Sequence, residues 1–317
     1  MNQGGMGWSE IVTLSGKART TWPDGLIQYC FTNEAARAEF GIDIQDAWKL
    51  WKDLIGDAGT ANGHSLVFRE FKFKEGAHPY CHSKSTENWN PDAPEDLAVF
   101  GFDSIPGVQA WSITGYMPKE FQNDPGRHGS RFDKESKNKY LRPYWVNTVA
   151  HKLGHVFGFW HEHQRDDRDS YIHFDCTKLT NYENSKATVE KEGKYTMAQI
   201  CSNYYLALIH NFPAIQDFET IDHDAYDNDG KRHTLFLNTD LEFDDESIML
   251  YSSAELTNPG KNGNDVTQVP LSFWKHRDMG YDPPEQFTKD NLELIPINWE
   301  VSHGDFEGIQ HLYPWHG

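Results

Sequence analysis

Hydrophobic and polar positions divide the chain into a front half with clear periodicity and a back half with little. In IDIQDAWKLWKDLIGDAG, residues 42–59, Ile44, Ala47, Trp48, Trp51, Leu54 and Ile55 recur on one helical face, and Gly56 and Gly59 lie where a helix would stop. WPDGLIQYCF (22–31) opens with turn chemistry at Pro23, Asp24 and Gly25 and continues as an alternating strand. HSLVFREFKF (64–73), LAVFGF (97–102) and VQAWSITGY (108–116) predict further strands. A polar loop is expected over 119–142, then a second helix over about 143–158. Beyond residue 165 the pattern weakens. Residues 176–243 read as a long, mostly polar insertion with one helix around TMAQICSNYYLALIH, and DFEGIQHLY (305–313) reads as a short closing helix. Residues 1–20 read as a flexible arm, and no internal repeat is visible.

Composition narrows the function classes. A chain of 317 residues with 38% hydrophobic content can build one large domain, or two lobes around a cleft. The 11 Trp, 14 Tyr and 19 Phe argue against a disordered chain. A formal charge of −19 disfavours nucleic acid and anionic membrane surfaces as partners. Apolar runs are too short for membrane insertion, and the first twenty residues lack the apolar core of a signal peptide. The chain is therefore read either as cytoplasmic or as the processed form of a secreted protein. Cys30, Cys81, Cys176 and Cys201 allow three pairings, and their even number favours an oxidising compartment; four buried thiols in a cytosolic protein is the alternative.

The chemistry concentrates in HKLGHVFGFWHEH, residues 151–163. His151 and His155 are four apart, so a helix presents both imidazoles on one face. Gly158 follows where a helix can end and the chain can turn sharply, which lets His161 return as a third ligand. Three neutral imidazoles leave a fourth position open, the arrangement of a catalytic zinc rather than a structural one. The segment DHDAYDNDG (222–230) looks like a calcium loop but fails the EF-hand spacing, and is read as a solvated acidic loop. His210, His223, His233, His276, His303, His311 and His316 show no ligand spacing.

The H-x-x-x-H-x-x-G-x-x-H spacing resembles the metzincin signature. GHVFGFWHEHQRDDRDSYI resembles the astacin family in particular, with Glu162 after the third histidine. SIMLY (247–251) resembles that family's Met-turn, and WPDGLIQYCF its opening strand. The resemblance implies an α+β, zincin-like fold. An N-terminal lobe (21–161) would carry a twisted, mostly parallel sheet and two long helices. A more irregular C-terminal lobe (162–317) would carry the Met-turn, with the 176–243 insertion inside it. The resemblance also implies zinc on His151, His155 and His161, Met249 packed beneath the metal, Tyr251 as a switchable ligand or oxyanion donor, and an extended peptide or protein substrate along an edge strand of the cleft.

The sequence departs from the family in three ways. Lys152 stands where the family has the glutamate that serves as general base and acid. An ammonium has no lone pair, and beside a dication it would be repelled by about 7 kcal/mol at ~5 Å and an effective dielectric of ~20. Lys152 is therefore expected to lose its proton or to swing away from the metal. The chain also runs well beyond the point where the family's trimmed amino terminus would be buried near Glu162, so Glu162 is expected to bond elsewhere. Finally, HLYPWHG ends without the family's C-terminal cysteine, and Cys176 and Cys201 can bridge locally within the insertion. The leading expectation is an astacin-like zinc metalloendopeptidase with little or no activity in this form. The alternatives are a zinc-binding pseudoenzyme that binds peptides or partners, and a zinc enzyme repurposed for a non-proteolytic reaction. The sequence leaves the substrate, the oligomeric state and the origin of Lys152 open.

Overall fold

The computed structural model of the chain describes residues 11–13, 21–83, 88–103, 108–220, 222–226, 232–237 and 242–317. Its elements are β1 (Ile11–Thr13), β2 (Leu26–Phe31), α1 (Glu34–Ile55), β3 (Val67–Glu70), β4 (Ala98–Asp103), β5 (Ala110–Ser112), β6 (His128–Asp133), α2 (Lys134–Lys139), α3 (Arg142–Phe157), β7 (Ile172–Phe174), α4 (Tyr182–Glu192), α5 (Met197–Cys201), α6 (Tyr204–Ile209), β8 (Asp222–Tyr226), β9 (Arg232–Leu237), β10 (Leu271–Trp274), β11 (Leu292–Glu293) and α7 (His303–Leu312). The main sheet has the order β3-β2-β4-β6-β5; β2 pairs in parallel with β3 and β4, β4 in parallel with β6, and β5 antiparallel to β6 at the edge. Two smaller antiparallel sheets, β11-β10-β7 and β1-β9-β8, belong to the later part of the chain, with β1 joining from the front. The result is α+β, with a mostly parallel sheet and two long helices.

Both long helices exist to cover the sheet. Along α1 the buried residues Ala36, Phe40, Asp43, Ile44, Ala47, Trp51 and Ile55 follow helical spacing, and the Asn33 side chain caps its start by accepting from Ala36 N. Trp51 Nε1 donates to Ala150 O at 2.9 Å, and the buried Asp43 carboxylate takes Arg142 at 2.8 Å, Lys137 at 2.8 Å and Trp145 Nε1 at 3.1 Å. These contacts fix α3 against α1 at both ends. Phe31, Phe68, Phe100 and Phe132 from the sheet close the same core, which also takes Met249, Ile248 and the closing stretch Val301, Ile309 and Tyr313. A second core, with Ile172, Ile200, Phe212, Phe218, Leu250, Leu271 and Ile295, lies under the insertion.

Five sequence expectations are corrected. α1 begins at Glu34 rather than near 42, because Gly41 reads as a breaker yet sits inside the helix at its usual modest cost. The expected loop over 119–142 contains β6 and α2; β6 escapes a hydrophobic reading because His128, Gly129 and Ser130 are its buried residues, with Phe132 alone apolar among them. The single helix around 196–210 is two, α5 and α6, split where Asn203 caps the second by accepting from Leu206 N. Residues 222–226 of the acidic segment form β8 rather than a loop, paired with β9; the remainder lies outside the described residues. Within the arm expected over 1–20, Ile11–Thr13 pair with β9. Disulfides join Cys30 to Cys81 and Cys176 to Cys201. No helix among the described residues is long and apolar enough to cross a membrane.

Candidate metal centre

α3 delivers His151 and His155 one turn apart on its buried face. It ends at Gly158, whose φ of 114° is left-handed and whose N–H bonds back to Gly154 O and His155 O. That turn brings Phe159 O to the Nδ1 of His155, at 2.9 Å, and sends His161 back towards the helix. One ring nitrogen from each of His151, His155 and His161 lies within 4.8 Å of the others.

The ring orientations are set by outer partners. His151 Nδ1 donates to Ile248 O at 2.8 Å, His155 Nδ1 to Phe159 O, and His161 Nδ1 to Gln164 Oε1 at 2.6 Å. The Gln164 amide is itself oriented, because its Nε2 donates to Gln216 O and Glu219 O. Each imidazole thus carries its proton on Nδ1 and turns a lone pair on Nε2 inwards. The Nε2 atoms of His151 and His161 are buried with no hydrogen-bond partner. Burial holds His151 and His161 well below the ordinary histidine range and His155 down to about 3, so all three imidazoles are neutral at neutral pH. The donor set fits a tetrahedral zinc with one open position.

The remaining predicted residues gather around this point. Met249 is buried, and its Sδ packs so closely on Gly154, between the two helical histidines, that a Cβ there would overlap it. Asp305 of α7 fixes the Met-turn by accepting from Ser247 Oγ at 2.7 Å and Ile248 N at 3.0 Å. Tyr251 packs beside His161, with ring centroids 4.4 Å apart, and burial pushes its phenol well above the ordinary range, so it stands as a donor. Glu162 accepts from Arg165 Nη1 at 3.0 Å and from Asp244 N at 3.0 Å. The fully buried Arg165 guanidinium also grips Asp167 through two bonds of 2.8 Å.

Lys152 lines a cavity of about 180 Å³ beside His151 and Tyr251. Asp217 and Glu255 line it too, and Tyr144 donates its hydroxyl to Glu255 at 3.0 Å. Burial lowers the Lys152 ammonium from its ordinary range, and these two carboxylates pull it back up. Sequence reasoning missed both acids, because they come from distant segments with no local spacing. It also missed His163, whose Nε2 donates to Asp217 O at 2.7 Å and whose Nδ1 accepts from Tyr251 N at 3.4 Å. Its place two residues after His161 was the one available signal.

Residues 144–212 match the sequence model of the peptidase family described as Astacin. Nematocyst expressed protein 6 of Nematostella vectensis is 32% identical over 98 residues, which is 29% of this chain and 33% of that protein. Zinc metalloproteinase nas-8 of Steinernema carpocapsae is 28% identical over 169 residues, 51% of this chain and 37% of the relative. Tolloid-like protein 1 of Homo sapiens is 67% identical over 64 residues, 20% of this chain and 6% of the relative. The chain thus matches about a third of the length of the first two curated relatives. Among solved structures, high choriolytic enzyme 1, a hatching enzyme zinc-protease from Oryzias latipes, aligns with a TM-score of 0.46 at 15% identity, covering 93% of this chain and 92% of its own. Myroilysin aligns with a TM-score of 0.41 at 17% identity, covering 97% and 100%. Zinc is the cofactor that goes with the matched family. In its three clustered histidines and in the match across residues 144–212, this chain is similar to the astacin peptidase family.

Proposed function

We propose that this chain is the peptidase unit of an astacin-type zinc metalloendopeptidase that binds an extended peptide across the cleft and, in this form, cleaves it slowly or not at all. The observation that carries the reading is the trio of inward Nε2 lone pairs with Lys152 beside them where a carboxylate is needed. Zinc held by His151, His155 and His161 supplies Lewis acidity. Edge strand β5 offers an extended backbone for a peptide to pair with, and Tyr251 offers a phenol proton to a developing oxyanion. No group at position 152 accepts a proton while its amine stays charged, and losing general acid–base help costs about 10²–10⁴-fold. A peptide-binding pseudoenzyme on the same scaffold is the second reading, favoured by that same lysine; a repurposed zinc enzyme is the third. The two disulfides support an extracellular setting.

The decisive experiment is Lys152→Glu. Parent and variant are compared on denatured casein with zinc and again with a chelator, after both are shown to be folded and to hold about one zinc per chain. Chelator-sensitive cleavage by the variant, at least about 10²-fold above the parent, is the expected result. A zinc-loaded, folded variant that cuts nothing across a broad peptide library sinks the peptidase reading and leaves the pseudoenzyme.

A further inference from the structure

The cavity beside the histidines holds an unequal set of charges. Asp217 and Glu255 face it with two carboxylates and Lys152 with one ammonium. Among the described residues Lys152 makes no ion pair within 4.0 Å, and the Asp217 carboxylate makes no side-chain hydrogen bond. Glu255 has one oxygen occupied, by Tyr144. The two acids therefore outnumber the one ammonium on the cavity wall. His151, more than nine-tenths buried, borders the same cavity with its unpartnered Nε2, and the β5 edge residue Ala110 borders it from the other side. A peptide lying along β5 would pass its side chains over this opening. At about 180 Å³ the cavity falls short of the ~300–1,000 Å³ of a pocket for a free small molecule, and suits a single side chain.

Resting on the peptide-binding reading above, we propose that this cavity is a specificity subsite that selects a cationic side chain, lysine or arginine, at one position of a bound peptide, through Asp217 and Glu255. A long aliphatic stem would lie against Leu250 and Ile248, and its charged head would reach the two acids. Burial raises both carboxyls, so an incoming cation gains by restoring the counter-charge that water no longer supplies. Two carboxylates face one ammonium across the cavity, which disfavours acidic side chains and leaves apolar ones without a partner for Asp217.

The test is binding rather than turnover. Fluorescein-labelled peptides of extended sequence, carrying Lys, Arg, Gln, Leu or Glu at one position at a time, are titrated with the intact zinc-loaded chain and followed by anisotropy. At a single register position Lys and Arg are expected to bind about tenfold or more tighter than Gln, with Glu weakest. Asp217→Asn and Glu255→Gln, each checked for folding by circular dichroism, are each expected to reduce that preference; Glu255→Gln keeps an acceptor for Tyr144. Peptides that bind equally with base, neutral or acid overturn the subsite while leaving the peptide-binding reading intact. So does a preference for base that survives both substitutions. A preference that emerges only in Lys152→Gln also overturns it, because the native lysine would then already neutralise the cavity. If no peptide binds at all, the peptide-binding reading falls and the subsite falls with it.

Discussion

Gly154 lies between two histidines whose rings must converge, and the space above it belongs to Met249. A Cβ at this position would overlap Met249 Sδ and stand 3.1 Å from Trp51 Cζ2. Helix propensity alone would reward Gly154→Ala by about 1 kcal/mol. Overpacking costs about 1–3 kcal/mol, and here the flexible methionine can retreat but the indole, held by its bond to Ala150 O, cannot. A net loss of up to about 2 kcal/mol is expected in urea unfolding. An equal or higher midpoint would mean that the thioether is not wedged against the helix. At this scale much of the centre was legible, because a helical repeat of four and a glycine at the turn are local signals. The residues that complete it were not. Gln164, His163, Asp217 and Glu255 act through contacts between segments far apart in sequence, and no spacing rule reaches across such a distance.

Elements with one apolar face were readable wherever that face was built from large side chains. α3 begins and ends within a residue of expectation, and β2, β3, β4 and β5 fall in the stretches predicted for them, β4 to within a residue. β6 was hidden because its covered side is made by His128, Ser130 and Phe132, of which only the last is apolar. α4 was hidden because only Tyr182, Ser185 and Val189 of its residues are buried. The disulfides separate the same way. Cys30 and Cys81 are buried under the main sheet, whereas Cys176 and Cys201 are only partly covered. By loop closure the two bridges stabilise similarly, about 4 kcal/mol across the 51-residue separation and about 3.5 kcal/mol across the 25-residue one. Access therefore decides the order of reduction. Under native conditions with a mild thiol reductant, iodoacetamide followed by peptide mass mapping should label Cys176 and Cys201 well before Cys30 and Cys81. Early labelling of Cys30 would place the first bridge at the surface.

Across the whole molecule, two buried acids set a dependence on pH. Asp244 and Asp305 both bond at Ser302, and burial together with their mutual repulsion lifts Asp244 well above the ordinary carboxylate range. The folded chain then holds a proton that the unfolded chain has released. Stability from this pair is greatest below ~pH 4, the unfolded value, and declines as pH rises towards the folded one. Asp244→Asn cannot ionise, so its stability relative to the parent should improve between about pH 5 and pH 9, by up to about 1.4 kcal/mol per pH unit. Denaturant midpoints at both pH values read the difference; a constant offset would show that Asp244 titrates normally.

The last turn of α3 is closed by residues far apart in sequence, one just ahead of β2 and one just after α7. Trp22 Nε1 donates to Val156 O at 2.7 Å, the Tyr313 hydroxyl donates to Phe157 O at 2.6 Å, and Trp22 N reaches that same hydroxyl at 3.4 Å. The segment before β2 and the segment after α7 therefore meet at one spot, at the end of the helix that carries His151 and His155. Such a geometry suits splicing into a larger polypeptide through short linkers, and it suits circular permutation, in which residues near 22 and 313 are joined and new termini are opened elsewhere on the surface. It also makes the junction an unsafe place for abrupt truncation, since cutting inside either aromatic would bare the carbonyls of the helix that carries His151 and His155.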